Sequence, residues 1–192
     1  MLWRDAVDLL VIGPDGSEAP RPVFANKKDV RQTEFYQAAA AAMKPDIMFE
    51  IRCAEYNDEM AFRHNGKLYY ILRTYSKDSE LYEVVAGQMV LPHQVTLVKC
   101  DPTRIDRQGR HPVISESERA CRIEESNKVT KDRNGSEVVS KTQFTFPGWY
   151  KVAYWDRIRW TDAAGTEQDK SPLSMDIIRD KLGNEQFLVV NC

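Results

Sequence analysis

The residues able to do chemistry are few and scattered along this 192-residue chain. Cys53, Cys100, Cys121 and Cys192 are its thiols, His64, His93 and His111 its imidazoles, and Asp58/Glu59 and Glu124/Glu125 its adjacent carboxylate pairs. A thiol nucleophile needs a base beside it, and zinc ligation needs Cys and His in tight clusters. Here there is no C-x-x-C, and every histidine adjoins a turn or a proline, where exposure is the default. The carboxylate pairs fall in polar turn or strand positions and read as solvated charges. No G-x-S-x-G, H-E-x-x-H, Walker A or G-x-G-x-x-G pattern occurs. The sequence therefore points away from an enzyme and calls for no cofactor and no metal. Cys53 and Cys121 sit in strand-like runs, where a free thiol serves as a small buried hydrophobe. Four free thiols fit assembly in a reducing cytoplasm.

Charge excludes a second class of function. The net charge is −2, and dividing the chain near Gly87 leaves about −3 before it and +1 after. Neither half carries the field needed to hold nucleic acid or acidic lipid broadly. Two local groups, Lys27, Lys28 and Arg31 and then Lys128, Lys131 and Arg133, read first as solvated basic turns and second as candidates to face a phosphate backbone. No apolar run approaches the roughly 18 residues of a membrane span. The start, MLWRDAVDLLVIG, lacks a basic region and a small-residue cleavage site, so no secretory leader is expected.

The elements that must position these residues are mostly short strands. Trp3 to Ile12, Val23 to Val30, Ile47 to Cys53, Met60 to Arg63, Leu68 to Arg73 and Glu80 to Val85 are apolar runs with strand character, split by turn signals. Gly13-Pro14-Asp15-Gly16 is one such signal; Asn65-Gly66 predicts a type I′ hairpin, which needs positive φ at both central positions. Gly87 to His93 reads as a linker, after which the pattern restarts. Gln94 to Cys100, Ala120 to Lys131, Glu137 to Phe146, Asp156 to Thr161, Met175 to Asp180 and Gln186 to Val190 are the strands of the second half. The Ala120–Phe146 hairpin has arms well beyond an average strand. The expected architecture is mainly β: two tandem small SH3-like or split β-barrels, residues 1–87 and 88–192. The first carries an inserted helical loop, the second a long β-hairpin.

The insertion is the stretch that breaks the strand pattern. Glu34 to Met43 is Ala-rich and free of Gly and Pro, enough for two to three helical turns, with Thr33 placed to cap it. Pro45 ends it through Lys44, and from Ile47 the period becomes two. Ile47, Phe49 and Ile51 then share one face, with Met48, Glu50 and Arg52 on the other. A helix this short is marginal alone, so its alanine face and Phe35 and Tyr36 must pack on something, either the barrel or a neighbouring subunit.

VRQTEFYQAAAAAMKPDIMFEIR followed by NGKLYYILRTY resembles the small head-closure proteins of tailed bacteriophages, also called head–tail joining, neck or connector proteins. The similarity covers roughly Val23 to Gly87. The part from CRIEESNKVTKDRNGSEVVSKTQFTF onward is more weakly similar to phage minor-capsid or neck proteins. The resemblance implies a virion structural protein that assembles in the bacterial host cytoplasm and stays in the neck of the particle. It implies a homo-oligomeric ring of sixfold or twelvefold symmetry that joins portal or adaptor to tail proteins and helps close the DNA channel. Gln32, Thr33, Glu34, Phe35, Tyr36, Gln37, Met43 and Lys44 would then make the assembly contacts. Lys27, Lys28, Arg31, Lys128, Lys131 and Arg133 would meet genomic DNA without reading its sequence. No membrane partner is implied. A tail-completion or tail-terminator protein, and a DNA-binding barrel module, are the alternatives.

Overall fold

The computed structural model describes residues 3–30, 45–107, 109–131, 134–179 and 183–192. The chain divides into two compact units, Met1–Val90 with Asp180–Asn184, and Leu91–Arg179 with Glu185–Cys192. The strands are β1 (Asp5–Ile12), β2 (Glu18–Lys28), β3 (Ile47–Arg52), β4 (Ala61–His64), β5 (Lys67–Ser76) and β6 (Leu81–Met89) in the first unit. Those of the second are β7 (His93–Cys100), β8 (Val113–Lys131), β9 (Glu137–Pro147), β10 (Arg157–Thr161), β11 (Glu167–Lys170), β12 (Ser174–Arg179) and β13 (Glu185–Asn191). One 3₁₀ turn, Cys53–Glu55, is the only helical element among the described residues. The fold is mainly β. The Gly87–His93 linker shrinks to Val90–Pro92, because β6 runs to Met89 and β7 starts at His93.

The first unit is a closed antiparallel barrel in the order β1-β2-β3-β6-β5-β4, with β4 pairing back to β1 through Asp8↔Arg63 and Leu9↔Phe62. Alternate residues of each strand fill it: Val7 and Leu9, Val23 and Ala25, Ile47, Phe49 and Ile51, Phe62, Tyr69 and Ile71, Val84 and Ala86. Phe49 meets the edge of Phe62 at 5.6 Å, and Phe62 stacks on Tyr69 at 5.3 Å. The turns follow local chemistry. Gly16 takes φ +78°, and Asn65 and Gly66 take +49° and +74°, closing the β4–β5 hairpin at His64↔Lys67. Closure pairs each of these strands with a neighbour on both sides over part of its length.

β3 departs from the half-buried strand its period of two predicts. Ile47, Phe49 and Ile51 do face the barrel interior, yet Met48 and Glu50 on the opposite face are buried as well, and only Arg52 is exposed. Tyr70 on β5 and Val85 on β6, also absent from the interior cluster, are likewise buried.

The second unit closes no ring of strands. It is one seven-stranded sheet, ordered β11-β10-β7-β8-β9-β13-β12, with edges at β11 and β12. β8 holds it together by changing partner midway: Val113 to Cys121 pair with β7, and Arg122 to Lys131 with β9. The sheet curls so that Phe144 on β9 meets the edge of Trp160 on β10 at 4.8 Å. Val95, Leu97, Cys121, Phe146, Ile158, Leu188 and Val190 are buried with them. Thus the second half shares the curvature of a barrel without its closure.

Candidate functional site

β2 and β3 are neighbours, with Lys28 opposite Met48 and Lys27 opposite Phe49. The strand ends that bound the excursion at residues 29–46 therefore lie side by side on the barrel. This excursion contains the expected assembly residues. Gln32, Thr33, Glu34, Phe35, Tyr36, Gln37, Met43 and Lys44 lie outside the described residues, as do Arg31 and Arg133 of the basic groups and the side chain of Lys128. Pro45 and Asp46 bring the chain back, Pro45 buried and the Asp46 amide donating to the Ala86 carbonyl at 2.9 Å.

A charge knot sits at the foot of the excursion. The Glu50 carboxylate is fully buried; Lys77 donates to its Oε1, and Lys28 stands 3.3 Å from its Oε2. Burial pushes the Glu50 carboxyl up, and the two ammonium groups more than offset this, so it lies below the ordinary carboxylate range. The hydrogen bond to Glu50 correspondingly raises Lys77. Lys28, one of the candidate phosphate contacts, is thus engaged by a buried acid, while Lys27 is exposed. Lys131, at the tip of the other arm, is exposed as well.

That second arm is the ribbon formed by the ends of β8 and β9. β13 pairs with β9 only from Gln143 to Pro147 and Ser140 still bonds to the Cys192 carbonyl, so residues 129–131 and 137–139 run on as a two-stranded ribbon. Val129 and Val139 are directly opposite one another on the ribbon and are 63% and 56% exposed. Facing pairs of this kind hold two strands in register. On the neighbouring position Thr130 Oγ1 lies 2.8 Å from Ser174 Oγ of β12, which ties the ribbon to its own sheet and leaves the valines outward.

The residues with catalytic chemistry are engaged elsewhere. His64 Nδ1 donates to the Ala6 carbonyl at 3.2 Å, and His111 Nδ1 lies 2.8 Å from two carbonyls, those of Asp101 and Arg104. His93 Nδ1 accepts from the Ile123 amide at 3.1 Å. Cys100, Cys121 and Cys192 are buried and Cys53 is half-buried. Burial pushes the thiols of Cys121 and Cys192 up to about 12, which makes them poor nucleophiles.

Of the carboxylates read as solvated, Glu59 is not, while the Glu124 side chain stays 44% exposed. Glu59 is buried, holding the Arg21 guanidinium and the Asn57 amide at 2.8 Å. Glu124 binds Arg122 at 2.6 Å and accepts from Gln143. Asp58 and Glu125 are exposed, as read from the sequence. Among the described residues no cluster of His, Cys, Asp and Glu is arranged to hold a metal ion. Comparison with protein-family models, with curated proteins and with solved structures yields no match.

Proposed function

We propose that the chain is a non-enzymatic structural protein of a tailed-bacteriophage virion, a head-closure or head–tail connector component that works as a ring between portal or adaptor and tail. The sequence resemblance motivates the reading, and one observation in the fold carries it further. The most family-like stretch is an excursion that starts and ends at adjacent rim residues, Lys28 and Met48, of a barrel whose strand pairings close without it. Such a segment is free to serve contacts outside the barrel. Ring assembly needs heterologous contacts, one surface reaching a different surface on the next copy. The Val129/Val139 ribbon, with both valines exposed, supplies a further surface for such a contact. Lys27 and Lys131 are the described cations available to DNA passing through the lumen, a contact by charge alone.

Deleting Gln32 to Lys44 tests the reading. The shortened chain is expected to keep the circular dichroism and cooperative melt of the intact chain. It is also expected to lose assembly, seen by mass photometry and negative-stain microscopy with portal-containing particles. An intact chain that stays monomeric and never joins such particles overturns the proposal. Binding to purified tail tubes instead of filled heads would move the function to tail completion.

A further inference from the structure

The second unit contains a cavity of about 510 Å³ lined by residues of β8, β9, β10 and β11 and by Asp162. Its volume is that of small-molecule sites. Lys141 and Lys170 both line it, both exposed, and neither is in an ion pair among the described residues, whereas Lys99 and Lys151 of the same unit are paired with Asp156 and Glu185. Trp160 forms part of the wall, is 5% exposed, and its indole Nε1–H is buried with no hydrogen-bond partner. An unmet buried donor carries a cost that a bound acceptor removes.

The two acids on the wall do not meet that need. Asp162 is taken up by its own turn, accepting from the amides of Ala164 and Thr166 at 3.0 and 2.9 Å and from Gln168 Nε2 at 2.9 Å. Glu125 is exposed on the rim and pairs with neither lysine. The Lys170 ammonium lies 5.7 Å from the centre of the Trp160 ring and forms part of its cover. A ligand that draws Lys170 toward itself opens that face of the indole.

We propose that this cavity binds a small organic molecule through a carboxylate or phosphate group, held between the Lys141 and Lys170 ammonium groups with the Trp160 N–H as the third donor. Charge-assisted bonds of this kind are the strong ones, and an oxyanion offers enough lone pairs for all three donors. The site stands independently of any role in the virion.

The test uses the full chain labelled with ¹⁵N, with the Trp160 indole resonance assigned by its loss in Trp160→Phe. Acetate, inorganic phosphate and phosphoglycolate are titrated at constant ionic strength. The expected result is a saturable downfield shift of the Trp160 indole proton, tightest with phosphoglycolate, while the indoles of Trp3, Trp149 and Trp155 stay in place. The Lys141→Gln/Lys170→Gln double variant should bind at least about tenfold more weakly with those three reference signals unmoved. No saturable shift with any probe, equal affinity in the double variant, or shifts at all four indoles would each overturn the proposal. So would saturation by the bare ions without phosphoglycolate, or a response to a duplex oligonucleotide alone, which would make the cavity a contact for a nucleic-acid backbone.

Discussion

Each unit holds a fully buried carboxylate at a structural junction, Glu50 in one and Asp156 in the other, but with different partners. Glu50 of the barrel is held by two lysine side chains, Lys28 and Lys77, each about two-fifths exposed. Asp156 of the curled sheet is held by Lys99 at 2.7 Å and by two backbone amides, those of Cys100 at 3.1 Å and Ala153 at 2.8 Å. Lysines can swing into water when their acid is lost; backbone amides cannot. The difference matches the architecture. The barrel already satisfies its backbone by closure, so its acid only joins strand ends, whereas the open sheet uses its acid to fix the loop that leads into β10.

The contrast can be tested, beginning where the largest change is expected. Phe49→Ala in the barrel and Phe144→Ala in the curled sheet each remove a fully buried ring and should cost about 3–5 kcal/mol. Hydrogen exchange separates them: Phe49→Ala exposes β3 and β6 amides, and Phe144→Ala those of β9 and β10. Equal loss of protection in both sets after either change would show that the two cores respond as one.

Asp156→Asn should cost about 2–3 kcal/mol by denaturant titration, because both fixed amide donors lose a charged acceptor and one of them then faces an NH2 group. Glu50→Gln should cost less, about 1–2 kcal/mol, since the lysines it releases are screened by water. Reversal of that order would sink the distinction between fixed and mobile donors.

The same acid gives a pH dependence of known sign. The folded Glu50 carboxyl lies below its ordinary 4.5, so its contribution is complete at neutral pH and fades as pH falls below about 4.5. The Tm difference between the native chain and Glu50→Gln should therefore shrink across that window. Glu185 and Asp162, lowered by the Lys151 hydrogen bond and by the Thr166 amide respectively, give the second unit its own acid limb, which the variant retains. The smallest effect belongs to the ribbon. Val129→Thr and Val139→Thr should each change stability by no more than about 0.5 kcal/mol, because both side chains are already in water.

Much of the fold was legible wherever apolar residues alternate and turns carry glycine. Asn65-Gly66 placed a hairpin correctly, and Ile47, Phe49 and Ile51 share the interior face as their spacing predicts. The first third of β8, Val113 to Arg119, was not legible, because Val113 and Ile114 are exposed and the residues after them are polar. β11 was missed for the same reason: Glu167 to Lys170 has no apolar residue, as suits an edge strand that must not recruit another. Glu59 looked solvated because its partner Arg21 is 38 residues away, a distance no local pattern reports. The donors around Trp160 come from strands far apart in the chain, so only the tertiary fold assembles them. The helix expected at 34–43 falls outside the described residues.

The partner change in β8 has a consequence for the order in which the protein is built. Every strand of the barrel has been synthesised by Met89. The second sheet cannot be complete so early, because β9, paired with β8 on one edge, waits for β13, Glu185–Asn191, to cover the other. Until then Phe144 and Phe146 stand beside an open strand edge. Domains fold as units in the direction of synthesis, and unpaired edges are where nascent chains associate wrongly. The interval between the two halves is therefore when a growing copy is most exposed to its neighbours on the same message.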